Sequence, residues 1–376
     1  MKKTVYINLL NFKSKDLTGA GVFAKSLLKK WISQEYDKVD FVILQSGAIS
    51  IEEVFELEKK WCSKLIKFDF NNLAFRILFE QLFLPFYLRS AALYFSPTPV
   101  LPVLSRIFGR VKLIVTIHDM IPYFIPNKYT RFRSIYVKWI SLMGAKFAHK
   151  IITVSQNSKK DIVTIANIDN SKIEVVYNFY APTAIDHVTT VANENLFVCI
   201  ATVEPGKNVE NTLKGFKQFL DTTGLNFKLC WIGGLGWSYT WEELKALVHN
   251  LGLESNVRFT GFASEKEKLD LLNACIGTVY LSKYEGFGLP LLESMVHGKP
   301  VLTSNLSSLP EVLGSAGVIC DPNNLEEISK GFEYLAKYAS SFKEPIVEQL
   351  NKFTEAGQVD KFLKVINEIS IQTSFK

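Results

Sequence analysis

Short apolar runs alternate with longer amphipathic segments along most of the chain. The short runs are rich in Val, Ile, Leu and Phe, a composition typical of buried strands. In the first half the predicted strands are Thr4–Leu9, Asp40–Leu44, Leu93–Phe95, Leu113–Thr116, Lys150–Val154 and Ile173–Val176. In the second half they are Leu196–Ala201, Lys228–Ile232, Val257–Thr260, Gly277–Leu281, Pro300–Ser304 and Gly317–Ile319. Helical patterns lie between them, among them Gly21–Gln34, Val209–Thr222, Trp241–Leu251 and Ser264–Asn273. This alternation predicts βαβ units and parallel sheets, an α/β fold.

A polar stretch, Asn178–Asn195, interrupts the alternation, and its Pro, Thr and Asn residues are typical of a linker. It predicts two Rossmann-like domains, residues 1–178 and 179–356, whose parallel sheets face each other across a cleft. The last segment, 357–376, has apolar residues at helical spacing and predicts a terminal helix. Because open α/β sheets bind ligands at the carboxyl ends of their strands, we expect functional residues just after the strands.

Composition narrows the function classes. The 376 residues carry a net charge of +6, which suits an anionic ligand or a membrane surface but does not indicate nucleic-acid binding. Five cysteines are scattered singly, so the sequence predicts neither a disulfide frame nor a zinc site. The N-terminal apolar run is too short for a signal peptide, and no apolar stretch reaches the length of a spanning helix. We therefore expect a cytoplasmic protein whose membrane contact is at most peripheral.

The strongest chemical signal is a pair of glutamates eight residues apart, Glu285 and Glu293, across a Gly-rich turn that follows a predicted strand. Glycines let a ligand approach the backbone, and a helix N-terminus attracts phosphate. A carboxylate in this position can accept both hydroxyls of a ribose. The candidate residues of this turn for binding a nucleotide ligand are Gly286, Phe287, Gly288 and Leu289, beside Glu293. The alternative is an ordinary strand–turn–helix with solvated glutamates.

A second signal follows the strand that ends at Ala201. The segment Glu-Pro-Gly-Lys-Asn forms a turn that places Lys207 at the entrance of a helix, where an ammonium can pair with a diphosphate. Thr202 and Asn208 flank the turn and are further candidates for binding the same nucleotide ligand. Taken alone, Lys207 would be interpreted first as a solvated surface lysine, but its place at the mouth of the same sheet favours the functional interpretation.

Two weaker signals lie in the first half. His118 and Asp119 follow a strand, where a histidine can donate to a sugar hydroxyl or transfer a proton. The alternative is a structural histidine beside an aspartate that caps the next turn. Gly19 and Gly21 belong to a Thr-Gly-Ala-Gly loop that can cradle phosphate or admit an acceptor, although a plain tight turn explains the same pattern.

The aromatic stretch Phe68–Tyr87 allows two interpretations. Its phenylalanines and nearby basic residues fit a helix that rests on anionic lipid. The same composition also fits a helix of the hydrophobic core. Of the two interpretations, we expect the core helix.

Together these elements resemble retaining glycosyltransferases of family 4. The likeness rests on the Glu285-x7-Glu293 element, the Glu-Pro-Gly-Lys-Asn turn, the Thr-Ile-His-Asp segment and the Thr-Gly-Ala-Gly loop, in that family's order and spacing. It implies the GT-B fold, with a terminal helix that crosses back to the first domain. It also implies a reaction that needs no metal or cofactor and retains the anomeric configuration.

The resemblance also implies roles for individual residues. Glu293 would hold the ribose, Glu285 the transferred sugar and Lys207 the diphosphate, while His118 would touch the donor sugar. Gly19 and Gly21, with Asp119 nearby, would form the loop for acceptor or phosphate. Many relatives carry an arginine where this chain has Thr202 or Gly206, which leaves Lys207 as the basic residue of the turn, with Lys283 a candidate to supplement it.

The expected function is transfer of a hexose, mannose or a related sugar, from a nucleotide-sugar to a glycan or lipid-linked saccharide. Polysaccharide or O-antigen assembly is the expected setting, and a GDP-sugar is slightly preferred by likeness to the family. Two alternatives stay open: a nucleotide-sugar epimerase on the same fold, which needs no acceptor, and a non-catalytic nucleotide- or sugar-binding relative.

Overall fold

The computed structural model describes residues 2–14, 17–70, 72–108, 110–125, 128, 130–179 and 195–371. The chain forms two compact units. The first comprises Met1–Asn178 and Glu355–Lys376, and the second comprises Phe179–Thr354. Most of the predicted linker, residues 180–194, lies outside the described residues.

The first unit is built on a seven-stranded parallel sheet. Its strands are β1 (Lys3–Leu9), β2 (Val39–Ser46), β3 (Lys64–Phe68), β4 (Leu93–Ser96), β5 (Lys112–Thr116), β6 (Lys150–Thr153) and β7 (Ile173–Val175). Their order in the sheet is β3-β2-β1-β4-β5-β6-β7. The chain therefore winds outward in one direction from β1 and in the other from β4, and the switch point lies between these two strands.

Helices cover this sheet. They are α1 (Gly19–Glu35), α2 (Ile51–Val54), α3 (Leu73–Leu78), α4 (Leu84–Tyr87), α5 (Ser105–Phe108), α6 (Ile121–Phe124), α7 (Arg131–Phe147) and α8 (Gln156–Ala166). A π-helical turn, Phe79–Phe83, joins α3 to α4. Trp31 of α1 is fully packed, and its indole meets Phe41 and Phe95 edge to face. Burying each such ring stabilises the unit by about 1.5–3 kcal/mol.

The C-terminal helix belongs to the first unit. The ring of Phe362 lies 5.4 Å from Trp31 and 5.5 Å from Phe95, and Gln358 accepts a hydrogen bond from the Tyr177 amide at 2.9 Å. The helix that contains both residues, α16 (Glu355–Ile371), thus completes a core formed by residues more than 250 positions earlier in the chain.

The second unit has a six-stranded parallel sheet. Its strands are β8 (Leu196–Ile200), β9 (Lys228–Ile232), β10 (Val257–Gly261), β11 (Gly277–Tyr280), β12 (Val301–Ser304) and β13 (Gly317–Cys320). Its helices are α9 (Val209–Thr223), α10 (Trp241–Asn250), α11 (Glu265–Ala274), α12 (Leu289–Val296), α13 (Leu309–Leu313), α14 (Leu325–Tyr338) and α15 (Lys343–Leu350). The strand order β10-β9-β8-β11-β12-β13 places the switch point between β8 and β11.

The predicted strands are all present, and their ends in the structure differ from the predicted ends by at most two residues. Strand β3 was not predicted, because two of the five residues of Lys-Leu-Ile-Lys-Phe are lysines and, at the edge of the sheet, none of the five is fully buried. The prediction of a core helix over Phe68–Tyr87 is wrong for much of its length. Phe68 ends a strand, and Phe75, Phe83 and Phe86 are exposed.

Candidate functional site

The second unit brings its two strongest sequence signals together at the switch point of the sheet. Lys207 follows β8 and Glu285 follows β11, and these strands are neighbours. The loops after them diverge, because β8 leads to β9 on one side of the switch point and β11 leads to β12 on the other. Such a divergence leaves a crevice at the carboxyl edge, the place where open α/β sheets bind ligands.

A cluster of four side chains links the two loops. The Lys207 ammonium forms an ion pair with Oε1 of Glu285 and donates to the Tyr280 hydroxyl at 2.9 Å. Tyr280 in turn donates to Glu285 Oε1 at 2.8 Å, and the Ser282 hydroxyl lies 2.6 Å from the same oxygen. The Lys283 amide also donates to the Gly206 carbonyl at 2.9 Å, so the loops are joined through backbone as well.

Both members of the ion pair keep their charge. Burial alone would lower the pKa of Lys207, but the Glu285 carboxylate outweighs it and the pKa lies above its ordinary value. Burial alone would raise the pKa of Glu285, but Lys207 outweighs it and the pKa lies below its usual range. Burial and the Glu285 charge raise the pKa of Tyr280. The crevice therefore holds a permanent ammonium in a fixed position.

Two serines hydrogen-bond to the backbone of the Gly-rich turn that begins at Glu285. Ser307 accepts from the Glu285 amide at 2.9 Å, and Ser308 lies 2.8 Å from the Phe287 carbonyl and 3.0 Å from the Glu285 carbonyl. Gly288 has φ +108°, and a Cβ there would come within 2.7 Å of Leu309. Glycine is thus required at the point where the chain enters α12.

The other predicted residues of this turn differ in exposure. Phe287 is buried, with its ring edge to face against Phe353 at 5.5 Å, so its side chain packs in the core. Gly286 is buried and Leu289 is partly exposed at the first turn of α12. Contact of these residues with a donor stays a prediction. For Phe287 the predicted contact involves the backbone, because its side chain packs in the core.

Glu293 lies one turn further along α12 and has its own partner. Its Oε1 forms an ion pair with Lys268 of α11 at 2.6 Å, and both side chains are about one-fifth exposed (18% and 19%). Burial lowers the pKa of Lys268, but its hydrogen bonds to Glu293 and Glu265 outweigh burial and raise it. A carboxylate held in this way is oriented, as a ribose acceptor must be.

Asn208 and Thr202 flank Lys207 in different settings. Asn208 has φ +59° and donates to the Pro322 carbonyl at 2.7 Å from a buried position. This bond ties the start of α9 to the loop after β13, so the Asn208 side chain is engaged within the protein. Thr202 is exposed. Lys283 is also exposed and lines an open pocket with Pro205.

In the first unit, His118 lies after β5, beside the switch point. Its Nε2 is 3.0 Å from the Pro97 carbonyl, which follows β4. Because a carbonyl only accepts, Nε2 carries the proton and Nδ1 is an acceptor. Burial lowers the pKa of His118 to about 4, although the bond to Pro97 opposes this. The ring is neutral near pH 7 and lies edge to face with Phe23.

Asp119 and the two glycines differ from their predicted setting. Asp119 Oδ1 accepts from the Ile121 amide at 2.9 Å and so stabilises the start of α6. Gly19 and Gly21 are not loop residues but form the first turn of α1. The Gly21 amide donates to the Thr18 carbonyl at 2.8 Å, and a Cβ on Gly21 would come within 2.7 Å of Leu17. The small size of Gly21 therefore serves close packing, and contact of Gly19 or Gly21 with an acceptor or phosphate stays a prediction, at the start of a helix and not in a loop.

Sequence reasoning did not find Tyr280, Ser282 or Lys268. Tyr280 reads as one more aromatic residue of a buried strand, and Lys268 as one of several charges on a surface helix. No pattern in the sequence signals that either one completes the surroundings of a glutamate. Among the residues that the structure describes, no group of three or more His, Cys, Asp and Glu side chains is placed to hold a metal ion.

Comparisons with known proteins agree with this architecture. The sequence profile of glycosyl transferases group 1 matches residues 183–359, and that of glycosyltransferase family 4 matches residues 18–183. The O-antigen chain mannosyltransferase B of Escherichia coli is 29% identical over 336 residues, which cover 83% of this chain and 85% of that protein. The O-antigen chain mannosyltransferase RfbU of Salmonella typhimurium is 28% identical over 238 residues, 60% of this chain and 65% of that protein.

Solved structures share the fold at low identity. The apo form of the lipopolysaccharide outer core galactosyltransferase WaaB superposes with a TM-score of 0.73 at 15% identity, covering 97% of this chain and 99% of that one. Anabaena Alr3699/HepE in complex with UDP and glucose gives 0.71 at 17% identity, covering 97% and 100%. Matching profiles over both units, together with two parallel-sheet α/β units of this kind, lead to one conclusion: the chain belongs to the family 4 (group 1) glycosyltransferases and has the GT-B fold.

Proposed function

We propose that this glycosyltransferase moves mannose or a related hexose from a nucleotide-sugar, preferably a GDP-sugar, to a glycan or lipid-linked saccharide. The reaction would contribute to an O-antigen-type polysaccharide. The observation that carries the proposal is the charged Lys207 held by Glu285 and Tyr280 at the β8–β11 switch point. The similarity to two O-antigen mannosyltransferases supports the sugar and the setting.

The reaction must stabilise the charge that develops on the departing nucleoside diphosphate. In the proposed mechanism the Lys207 ammonium and the N-terminus of α12 neutralise that charge. Since Lys207 is already held by Glu285 and Tyr280, it needs little rearrangement to act. The three described donors to Glu285 all meet Oε1, so we assign Oε2 to a hydroxyl of the transferred sugar. Glu293 accepts the ribose hydroxyls.

We propose retention of the anomeric configuration without a metal. The bond between the anomeric carbon and the phosphate oxygen breaks, and the acceptor oxygen bonds to that carbon from the same face. The departing phosphate takes the proton of the acceptor hydroxyl. The neutral His118, with Nδ1 as an acceptor, would orient a hydroxyl of the donor sugar. A product of inverted configuration, identified by NMR of the new linkage, would exclude this course.

A thermal-shift panel of nucleotide-sugars and free nucleoside diphosphates tests the donor site. A ligand at 100 times its Kd stabilises the folded protein by about 2.7 kcal/mol, a rise of about 5–10 °C for a unit of this size. We expect one class of nucleotide to raise Tm in the wild type and to lose most of that effect in Glu293→Ala. The control is Glu326→Ala, an exposed residue of α14. The proposal fails if every nucleotide leaves Tm unchanged, or if the donor is consumed equally with and without acceptor.

A further inference from the structure

The positive charge of the protein is concentrated in one stretch of the first unit. Residues 71–150 contain eleven lysines and arginines and only two acidic residues, whereas the other 296 residues carry a net charge of −3. Of the two acidic residues, Glu80 is fully buried and Asp119 is engaged at the start of α6. Among the described residues of this stretch, the exposed charged side chains are therefore basic.

The same stretch exposes large apolar side chains on α7. Phe132 is 89% exposed and Ile135 67%, and Trp139 is exposed as well. The spacing of i, i+3 and i+7 places all three on one face of the helix. Arg131 and Arg133 flank the start of this face. Burying these three side chains would stabilise the folded chain, yet they face solvent.

A second exposed apolar strip runs along α3, the π-helical turn and α4. Its exposed members are Leu73, Phe75, Leu78, Leu82, Phe83, Phe86 and Tyr87. The Arg89 guanidinium lies 4.8 Å from the Phe86 ring centre, so a cation covers the end of the strip. Tyr136 of α7 approaches the second strip, because its hydroxyl interacts with the side chains of Arg76 in α3 and Glu80 in the π-helical turn.

We propose that these two strips form a docking surface for an anionic lipid bilayer. Aromatic and aliphatic side chains enter the boundary between headgroups and acyl chains, while lysines and arginines around them meet anionic headgroups. Each basic residue near such a surface contributes about 1 kcal/mol. The excess of nine positive charges in residues 71–150, eleven basic against two acidic residues, favours an extended anionic surface over a single protein partner. No helix of the described residues is long and apolar enough to cross a bilayer, so the contact is peripheral.

The proposal takes up the membrane contact that the sequence left open and assigns it to particular residues. It goes beyond the proposed function, and it is tested by binding rather than by activity. If the surface is correct and the proposed reaction is wrong, the protein still binds vesicles. If the reaction is correct and the surface is wrong, sugar transfer to a water-soluble acceptor survives without vesicle binding.

Vesicle flotation tests the surface. We expect the full chain to float with phosphatidylglycerol vesicles, to bind phosphatidylcholine vesicles at least tenfold less, and to lose anionic binding as salt rises. The double variant Phe132→Ser, Ile135→Ser should bind at least tenfold more weakly, since each side chain contributes about 1.5–3 kcal/mol when buried. The matched control is Phe262→Ser in the second unit, because Phe262 is also 89% exposed.

A charge variant makes the test independent of the apolar change. Arg131→Glu, Arg133→Glu should abolish the preference for phosphatidylglycerol, while an unchanged thermal unfolding curve shows that both variants fold. Equal binding to both lipids, or equal loss in Phe262→Ser, overturns the proposal. So does a wild type that floats with neither lipid but forms a dimer that Phe132→Ser, Ile135→Ser dissociates, because the surface would then join two copies of the chain.

Discussion

Neutralising both members of the Lys207–Glu285 pair should cost no more stability than neutralising either one. The side chains are only 15% and 13% exposed, so each single change leaves a partner charge in a poorly solvated place. Lys207→Met or Glu285→Gln alone should lower the free energy of unfolding by about 3 kcal/mol, the lower end for breaking a buried pair. The double variant removes both charges together and should also cost about 3 kcal/mol or less. The resulting coupling is about 3 kcal/mol.

Urea unfolding followed by tryptophan fluorescence measures this cycle, since the buried Trp231 reports on the second unit. The matched control is the exposed pair Lys214–Glu210, whose side chains are about half exposed and whose coupling should stay below about 1 kcal/mol. A coupling for Lys207 and Glu285 no larger than that of the control would refute the picture of a fixed ammonium in the crevice.

Three further predictions concern single side chains. Tyr280→Phe removes the hydroxyl between Lys207 and Glu285 and should lower kcat/KM for sugar transfer about tenfold, measured with saturating acceptor. Gly288→Ala should lower the free energy of unfolding by about 1–3 kcal/mol, and by clearly more than Gly252→Ala, because both have positive φ but a Cβ meets a neighbour only at Gly288. Burial raises the pKa of Glu80 from 4.5 to about 7, so the folded state binds the proton more tightly and stability falls as pH rises from about 4.5 to 7. In Glu80→Gln the fall of about 3 kcal/mol between pH 5 and 8 should be absent from unfolding curves.

Much of the fold follows from local patterns. Strands such as β1 and β9 consist mostly of buried apolar residues, so their composition identifies them without knowledge of their neighbours. Strand β3 could not be predicted because an edge strand with two lysines among its five residues resembles a surface segment. The exposure of Phe75 and Phe83 could not be predicted for a related reason: an aromatic residue has the same sequence signature whether it faces the core or lies exposed.

The candidate site shows the same limit. The positions of Lys207 and Glu285 after neighbouring strands follow from the βαβ pattern, but their direct ion pair depends on loop geometry across 78 residues. Gly21 shows a related limit. A glycine before a helix suggests a loop, whereas Gly21 lies in the first turn of α1, where its small size leaves room for the preceding Leu17. Phe287 likewise reads as part of a ligand turn but anchors that turn in the core.

The central claim is that Lys207 holds the donor diphosphate, and calorimetry of a nucleoside and its diphosphate tests it most directly. The pair is the one whose base the thermal-shift panel selects, titrated into wild type, Lys207→Met and Lys283→Met. We expect Lys207→Met to reduce affinity for the diphosphate at least tenfold, about the 1.5–3 kcal/mol of a charge-assisted hydrogen bond, and to leave affinity for the nucleoside unchanged. Lys283→Met should have a smaller effect. Equal loss for nucleoside and diphosphate, or no loss for either, would show that Lys207 does not hold the diphosphate.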